Sequence, residues 1–137
     1  MTISTTSPRQ VVQPRGALPV DEVAALQPAA SLLRSLGDPT RLAIVHHLAA
    51  GEHRVVDLTT HLGLAQSTVS AHLACLRECG LVTSRPQGRA SVFALTWSTE
   101  LATVLSAVEV LLGLTGDAVD ACPTYGSEAT SSEGSKP

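Results

Sequence analysis

Two short segments with helical apolar spacing, Val55 to Leu62 and Gln66 to Cys79, are separated by only three residues, the first of them Gly63. A glycine directly after the last periodic position is a common left-handed helix stop, and so short a link makes the two helices neighbours. The pair predicts a helix-turn-helix, its second helix stopped by Gly80. Beyond Gly80 the period changes from 3.6 to 2. Leu81 to Ser84 and Ala90 to Leu95 are short β-like runs, separated by Arg85-Pro86-Gln87-Gly88-Arg89. They predict a hairpin with an arginine at each shoulder.

The flanks extend this pattern. Val20 to Leu26 and Ala29 to Leu36 are helical in spacing, with Pro19 and Asp21 as start signals, Pro28 as a break and Gly37 as a stop. Asp38 before Pro39 is a helix cap, and Leu42, Ile44, Val45 and Leu48 give the helix after it an apolar face. Leu101, Val104, Leu105, Val108, Leu111 and Leu112 form a further stripe that a domain this small would struggle to cover alone. A second copy of the chain is its natural cover, so a homodimer through the terminal helices is expected. The fold class is mainly α with a small β-hairpin, a winged helix-turn-helix. Residues 1–18 read as a flexible arm, 19–116 as the DNA-binding and dimerisation domain, and 117–137 as a tail.

Composition narrows the function. The 137 residues are 44% hydrophobic but only 2% aromatic, which demands an aliphatic core and excludes the stacking platforms of single-stranded nucleic-acid binders. A formal charge of −3 removes any global attraction to phosphate, so a nucleic-acid contact must come from a local patch. Arg41, Arg54, Arg77, Arg85 and Arg89 fall between positions 38 and 89 with only four acids, which leaves the middle mildly positive. Three cysteines form an odd set with no basic-then-apolar leader before them, and the run Leu101 to Leu114 with Glu109 inside it is expected to be too short to cross a bilayer. The cytoplasm, with reduced thiols, is the expected compartment, and no membrane is an expected partner.

In the segment Gln66 to Leu73, anchors at Val69 and Leu73 leave Gln66, Ser67, Thr68, Ser70 and Ala71 on the outer face, with His72 beside them. Short polar side chains at a helix start can reach base edges of double-stranded DNA, and Arg85 and Arg89 suit phosphate or minor-groove contact. Leu36-Gly-Asp-Pro-Thr-Arg-Leu, Val56-Asp-Leu, and Ser67-Thr-Val-Ser-Ala-His-Leu-Ala-Cys-Leu-Arg-Glu-Cys-Gly-Leu-Val82 resemble the ArsR/SmtB family of dimeric winged-helix repressors. The resemblance runs from about Ser31 to Trp97. It implies a dimer that holds operator DNA through paired recognition helices and releases it when an inducer, usually a metal ion, binds. Ala65 stands where such repressors often have a serine cap, which moves the expected cap to Gln66 or Ser67.

Cys75 and Cys79 are four residues apart on one helix, hence on one face and one turn along. Two thiolates so placed are half a site for a soft cation. Cys122 lies past the last helix in an irregular segment with Pro123 and Gly126. Three thiolates favour Cd2+ or Pb2+, with Zn2+ admitted by a fourth oxygen or nitrogen ligand. The cysteine pair and the tail cysteine resemble the arrangement in the CmtR-like cadmium- and lead-sensing branch of the family. That likeness implies Cys75, Cys79 and Cys122 as ligands, with Cys122 given by either protomer.

Other sensing sites of the family lack their residues. Arg54 and Val56 replace the arsenic-type cysteine pair, and no histidine follows His72 to serve a zinc- or nickel-type site on the last helix. His46 and His47 are adjacent, about 100° apart on a helix, and make a poor chelating pair. These two, His53, His61 and His72 are read as packing or surface residues. A repressor of the same fold that senses oxidants through a Cys75–Cys79 or Cys79–Cys122 disulfide is the alternative. An enzyme with Cys75 as nucleophile and His72 as base is not expected, because no orienting third group or oxyanion loop accompanies them, and no small organic substrate is expected.

Overall fold

The computed structural model describes residues 20–126. The proposed arm 1–18 and the end of the tail, 127–137, lie outside the described residues. Helices α1 (Val20–Ala25) and α2 (Gln27–Leu36) lead into α3 (Pro39–Ala49), a two-residue strand β1 (His53–Arg54), α4 (Val55–Leu62) and α5 (Gln66–Glu78). Strands β2 (Val82–Gln87) and β3 (Ala90–Leu95), helix α6 (Ser98–Thr115) and a 3-10 turn (Gly116–Ala118) complete the order. This is the expected winged helix-turn-helix.

Local chemistry sets most boundaries. The Asp38 carboxylate accepts the Arg41 amide at 3.0 Å and caps α3, while Pro39 occupies the first turn, where its missing amide proton costs nothing. Gly63 closes α4 in the left-handed region at φ 64°, a conformation that a side chain would strain. The cap of α5 is Ala65, with no side-chain hydrogen bond, rather than Gln66 or Ser67. The start of this helix is held by packing instead: Val69, Leu73 and Leu76 are fully buried.

The wing differs from the expected hairpin in two ways. Strand β2 runs on through Arg85, Pro86 and Gln87, which pair with Val92, Ser91 and Ala90, so the turn is only Gly88 and Arg89. Proline is tolerated there because β2 is the edge of the sheet, whose order is β1-β3-β2. The third strand, β1, pairs His53 with Phe93 and Arg54 with Val92. It ties the start of α4 to the wing.

The core is aliphatic as the composition demands. Ile44, Val45, Leu48, Leu58, Val69, Leu73 and Leu76 join Leu81, Val82 and Leu101, with Phe93 as the one aromatic among the buried residues. Helix α6 contributes only Leu101 to this set, while Val104, Val108, Leu111 and Leu112 are 40–60% exposed. An apolar groove lined by Leu32, Leu33, Leu36, Leu81, Trp97 and Leu101 runs between α2 and α6. The 21-residue segment Ser98–Ala118, whose most apolar stretch has a mean hydropathy of 1.5, is long and apolar enough to cross a membrane by length and composition alone. That corrects the expectation of a stretch too short to do so.

Candidate functional site

Helix α5 presents two faces. Val69, Leu73 and Leu76 anchor it to the core, and Gln66, Ser67, Thr68, Ser70 and Ala71 are all exposed on the other side. The outer face is therefore the one the sequence predicts. A notch beside its first residue is lined by Arg54, Gln66, Arg89, Ala90 and Ser91, which brings two arginines to the start of the helix. Arg54, which no motif in the sequence places beside α5, arrives there because β1 pairs with β3. The Asp57 carboxylate accepts from the Arg54 amide and guanidinium at 3.2 and 3.3 Å, and these bonds hold its pKa below the ordinary carboxylate value.

The two wing arginines have different surroundings. Arg89 stands exposed in the turn. Arg85 lies on the strand and donates to Glu52 at 2.6 Å, so its charge is already partnered by a carboxylate. An exposed pair of this kind is worth little in stability, and DNA phosphate can compete for the arginine.

His72 is half-buried, and its Nδ1 lies 3.3 Å from an Arg41 Nη. Arginine only donates, so Nδ1 accepts, and the other ring nitrogen carries the proton. The same guanidinium donates to the carbonyls of Arg34 and Ser35 at the end of α2. Arg41 thereby joins the helix that lines the apolar groove to the helix that carries the polar face. No sequence signal assigns this role, since the three partners converge only in the fold. Arg41→Gln removes charge-assisted bonds worth about 1.5–3 kcal/mol each before compensation by water. We expect a fall of roughly 5 °C or more in the thermal unfolding midpoint, measured by circular dichroism; an unchanged midpoint contradicts the link.

Cys75 and Cys79 occupy successive turns, and the Cys79 amide still donates to the Cys75 carbonyl at 3.1 Å. Cys75 is half-buried and Cys79 exposed, and both are free thiols, as is Cys122. Cys122 lies in a tight turn after the 3-10 segment. Backbone amides of Tyr125, then of Thr124 and Gly126, point at its sulfur and lower its pKa below the ordinary cysteine value of 9.0. Gly126 permits this approach: a Cβ there would collide with the carbonyl oxygens of Asp120 and Cys122. Among the described residues, no three His, Cys, Asp or Glu side chains of the single chain stand grouped to hold an ion.

The sign of the Cys122 shift gives a test. The thiolate is the reactive species, so a lowered pKa moves alkylation to lower pH. Iodoacetamide modification at Cys122, followed by peptide mass spectrometry, is expected to reach half its maximal rate below pH 9.0. Gly126→Ala should move that midpoint upward, and an identical profile in the variant contradicts the role of the turn.

Comparison with known proteins agrees with this geometry. Residues 38–84, from the cap of α3 to the first half of the wing, match the profile of the bacterial regulatory protein, arsR family. The chain is 42% identical over 88 residues to the HTH-type transcriptional regulator CmtR of Mycobacterium tuberculosis, covering 64% of this chain and 75% of that one. This chain belongs to the ArsR family. Its members are DNA-binding transcriptional regulators and not enzymes. A probable mercury resistance operon repressor of Streptomyces lividans is 38% identical over 76 residues, 54% of this ArsR-family chain and 61% of the relative. A homodimeric winged helix-turn-helix DNA-binding domain from Mycobacterium bovis superposes with a TM-score of 0.59 at 28% identity, over 71% of this chain and 89% of that one.

Proposed function

We propose that the protein is a metal-responsive repressor that binds operator DNA as a homodimer and releases it when Cd2+ or Pb2+ is held by Cys75, Cys79 and Cys122, with Zn2+ as a weaker inducer. The observation that carries this reading is that one helix bears the exposed residues Gln66, Ser67, Thr68, Ser70 and Ala71 and, one turn further on, Cys75, with Cys79 as its C-cap residue. An ion on that helix alters the element that enters the major groove. The groove between α2 and α6 receives the second copy, with the exposed stripe of α6 as its counterpart. Since the three sulfurs are not grouped within one chain, Cys122 reaches the pair from the partner subunit or by movement of its own tail.

Soft thiolates select large polarisable cations, and the amides around Cys122 favour the ligating form of its sulfur by lowering its pKa. Gln66, Ser67, Thr68, Ser70, Ala71 and His72 read bases and phosphates, with Arg89 and Arg85 from the wing. A duplex selected from a random pool by the metal-free protein supplies the probe for testing. A mobility shift with and without Cd2+, Pb2+ or Zn2+, read beside thiolate-to-metal charge-transfer absorption, should show release only where that absorption appears. Release without sulfur ligation defeats the proposal.

One observation favours a second reading: a cysteine with a lowered pKa and two further free thiols are also the makings of an oxidant sensor. In that case peroxide, and not the metal, abolishes the shift, and thiol counting shows two sulfhydryls lost.

A further inference from the structure

Three histidines from successive elements, His47, His53 and His61, meet at the junction of α3, β1 and α4. The ring centre of His47 is 5.1 Å from that of His61 and 6.3 Å from that of His53, and the His53 and His61 centres are 5.7 Å apart. The metal-to-nitrogen distance in zinc–imidazole sites is about 2.0–2.1 Å, so three rings bound tetrahedrally to one ion have centres about 5 Å apart. Two of the three separations are already within an ångström of that figure.

A second observation concerns the orientation of one ring. His53 Nδ1 lies 2.8 Å from the Gly51 carbonyl oxygen, which only accepts, so Nδ1 carries the proton and Nε2 of the neutral ring keeps its lone pair. A backbone carbonyl on one ring nitrogen is the outer-shell contact that fixes a histidine ligand for binding through the other. His47 and His53 are half-buried and held by their elements, whereas His61 is exposed on the last turn of α4. The rings of His47 and His61 are inclined by only 17°, so their lone pairs do not converge as they stand, and the trio is not a preformed ion cage. A rotation of the solvent-exposed His61 side chain is what closure requires.

We propose that His47, His53 and His61 form a second metal site, separate from the cysteines, that takes a borderline divalent transition ion of the zinc class through three imidazole nitrogens with water in the fourth position. Imidazole suits such ions, whereas Cd2+ and Pb2+ prefer the thiolates. Bound there, the ion ties the end of α3, the strand of the wing and the first helix of the helix-turn-helix to one another. The site acts on the stability of the DNA-reading unit, where the cysteine site acts on its orientation.

The full-length chain with Cys75, Cys79 and Cys122 all replaced by serine isolates this site, with zinc chloride and cobalt chloride as the probes. One zinc per chain should bind with a dissociation constant below about 10 μM and, at roughly 100 times that constant, raise the thermal midpoint by several degrees. Cobalt should give ligand-field absorption with no sulfur charge transfer. His53→Gln or His61→Gln should weaken binding at least tenfold, while His46→Gln, on the neighbouring exposed position of α3, should leave it unchanged. If the serine variant does not fold, zinc-induced shifts of the His53 and His61 imidazole resonances in the natural chain decide the matter. Binding no tighter than about 1 mM, equal losses in His46→Gln and His61→Gln, or unmoved imidazole resonances overturn the proposal.

Discussion

Val108→Asp is expected to convert the protein to a monomer and to lower operator affinity by roughly 100-fold or more. Val108 is 42% exposed in the single chain, on the stripe of α6 that also carries Val104, Leu111 and Leu112. In a twofold interface one substitution places two carboxylates in an apolar contact, each lacking a partner, at a cost of several kcal/mol. The chain itself should still fold, because its core is built on α3, α4, α5 and the sheet, and α6 contributes only Leu101 to the buried set. A monomer reads one half-site and loses the gain that comes from linking two. Light scattering should give a mass near the 14.2 kDa of one chain, with helical circular dichroism retained. A dimer of undiminished operator affinity contradicts the assignment of α6.

The second large effect belongs to the sulfurs. Cys75→Ser, Cys79→Ser and Cys122→Ser should each leave a chain that binds operator DNA yet no longer lets go when Cd2+ is added. Serine keeps the size of the side chain but replaces a soft thiolate with a hard, protonated hydroxyl, so one of three ligands is lost. An allosteric coupling of about 1–3 kcal/mol corresponds to a 5- to 150-fold change in operator affinity, and that is the response each variant should lose. The Cys122 variant is the most telling. This residue lies outside the polar face of α5, and its loss has no direct route to DNA. Normal release in all three variants removes the cysteines from the switch.

Much of this was readable in the sequence because it is decided locally. Asp38 before Pro39 and Gly63 after Leu62 set helix ends through their own backbone chemistry, and the anchors Val69, Leu73 and Leu76 fix which side of α5 faces out. The features that were not readable depend on distant partners. A two-residue strand has no period to detect, and β1 exists only because His53 and Arg54 find Phe93 and Val92 across the sheet. Pro86 reads as a loop residue until the sheet order shows β2 to be an edge. The Arg41 bridge and the histidine trio have the same origin, since residues 31 positions apart, or six and eight apart across a strand and a helix, carry no common spacing. Cys122 could be picked out as a cysteine in the tail, but the amides that tune its sulfur come from a turn that only the backbone reveals.

The central claim is that ion binding at sulfur and DNA binding at α5 oppose one another, and thermodynamic linkage makes this measurable from either side. The most direct measurement is a Cd2+ titration followed by thiolate charge-transfer absorption, performed with and without saturating operator duplex. The account predicts that the duplex weakens Cd2+ binding by the same factor, between about 5 and 150, by which Cd2+ weakens duplex binding. Equal Cd2+ affinity in the two titrations, with the absorption band present in both, contradicts it.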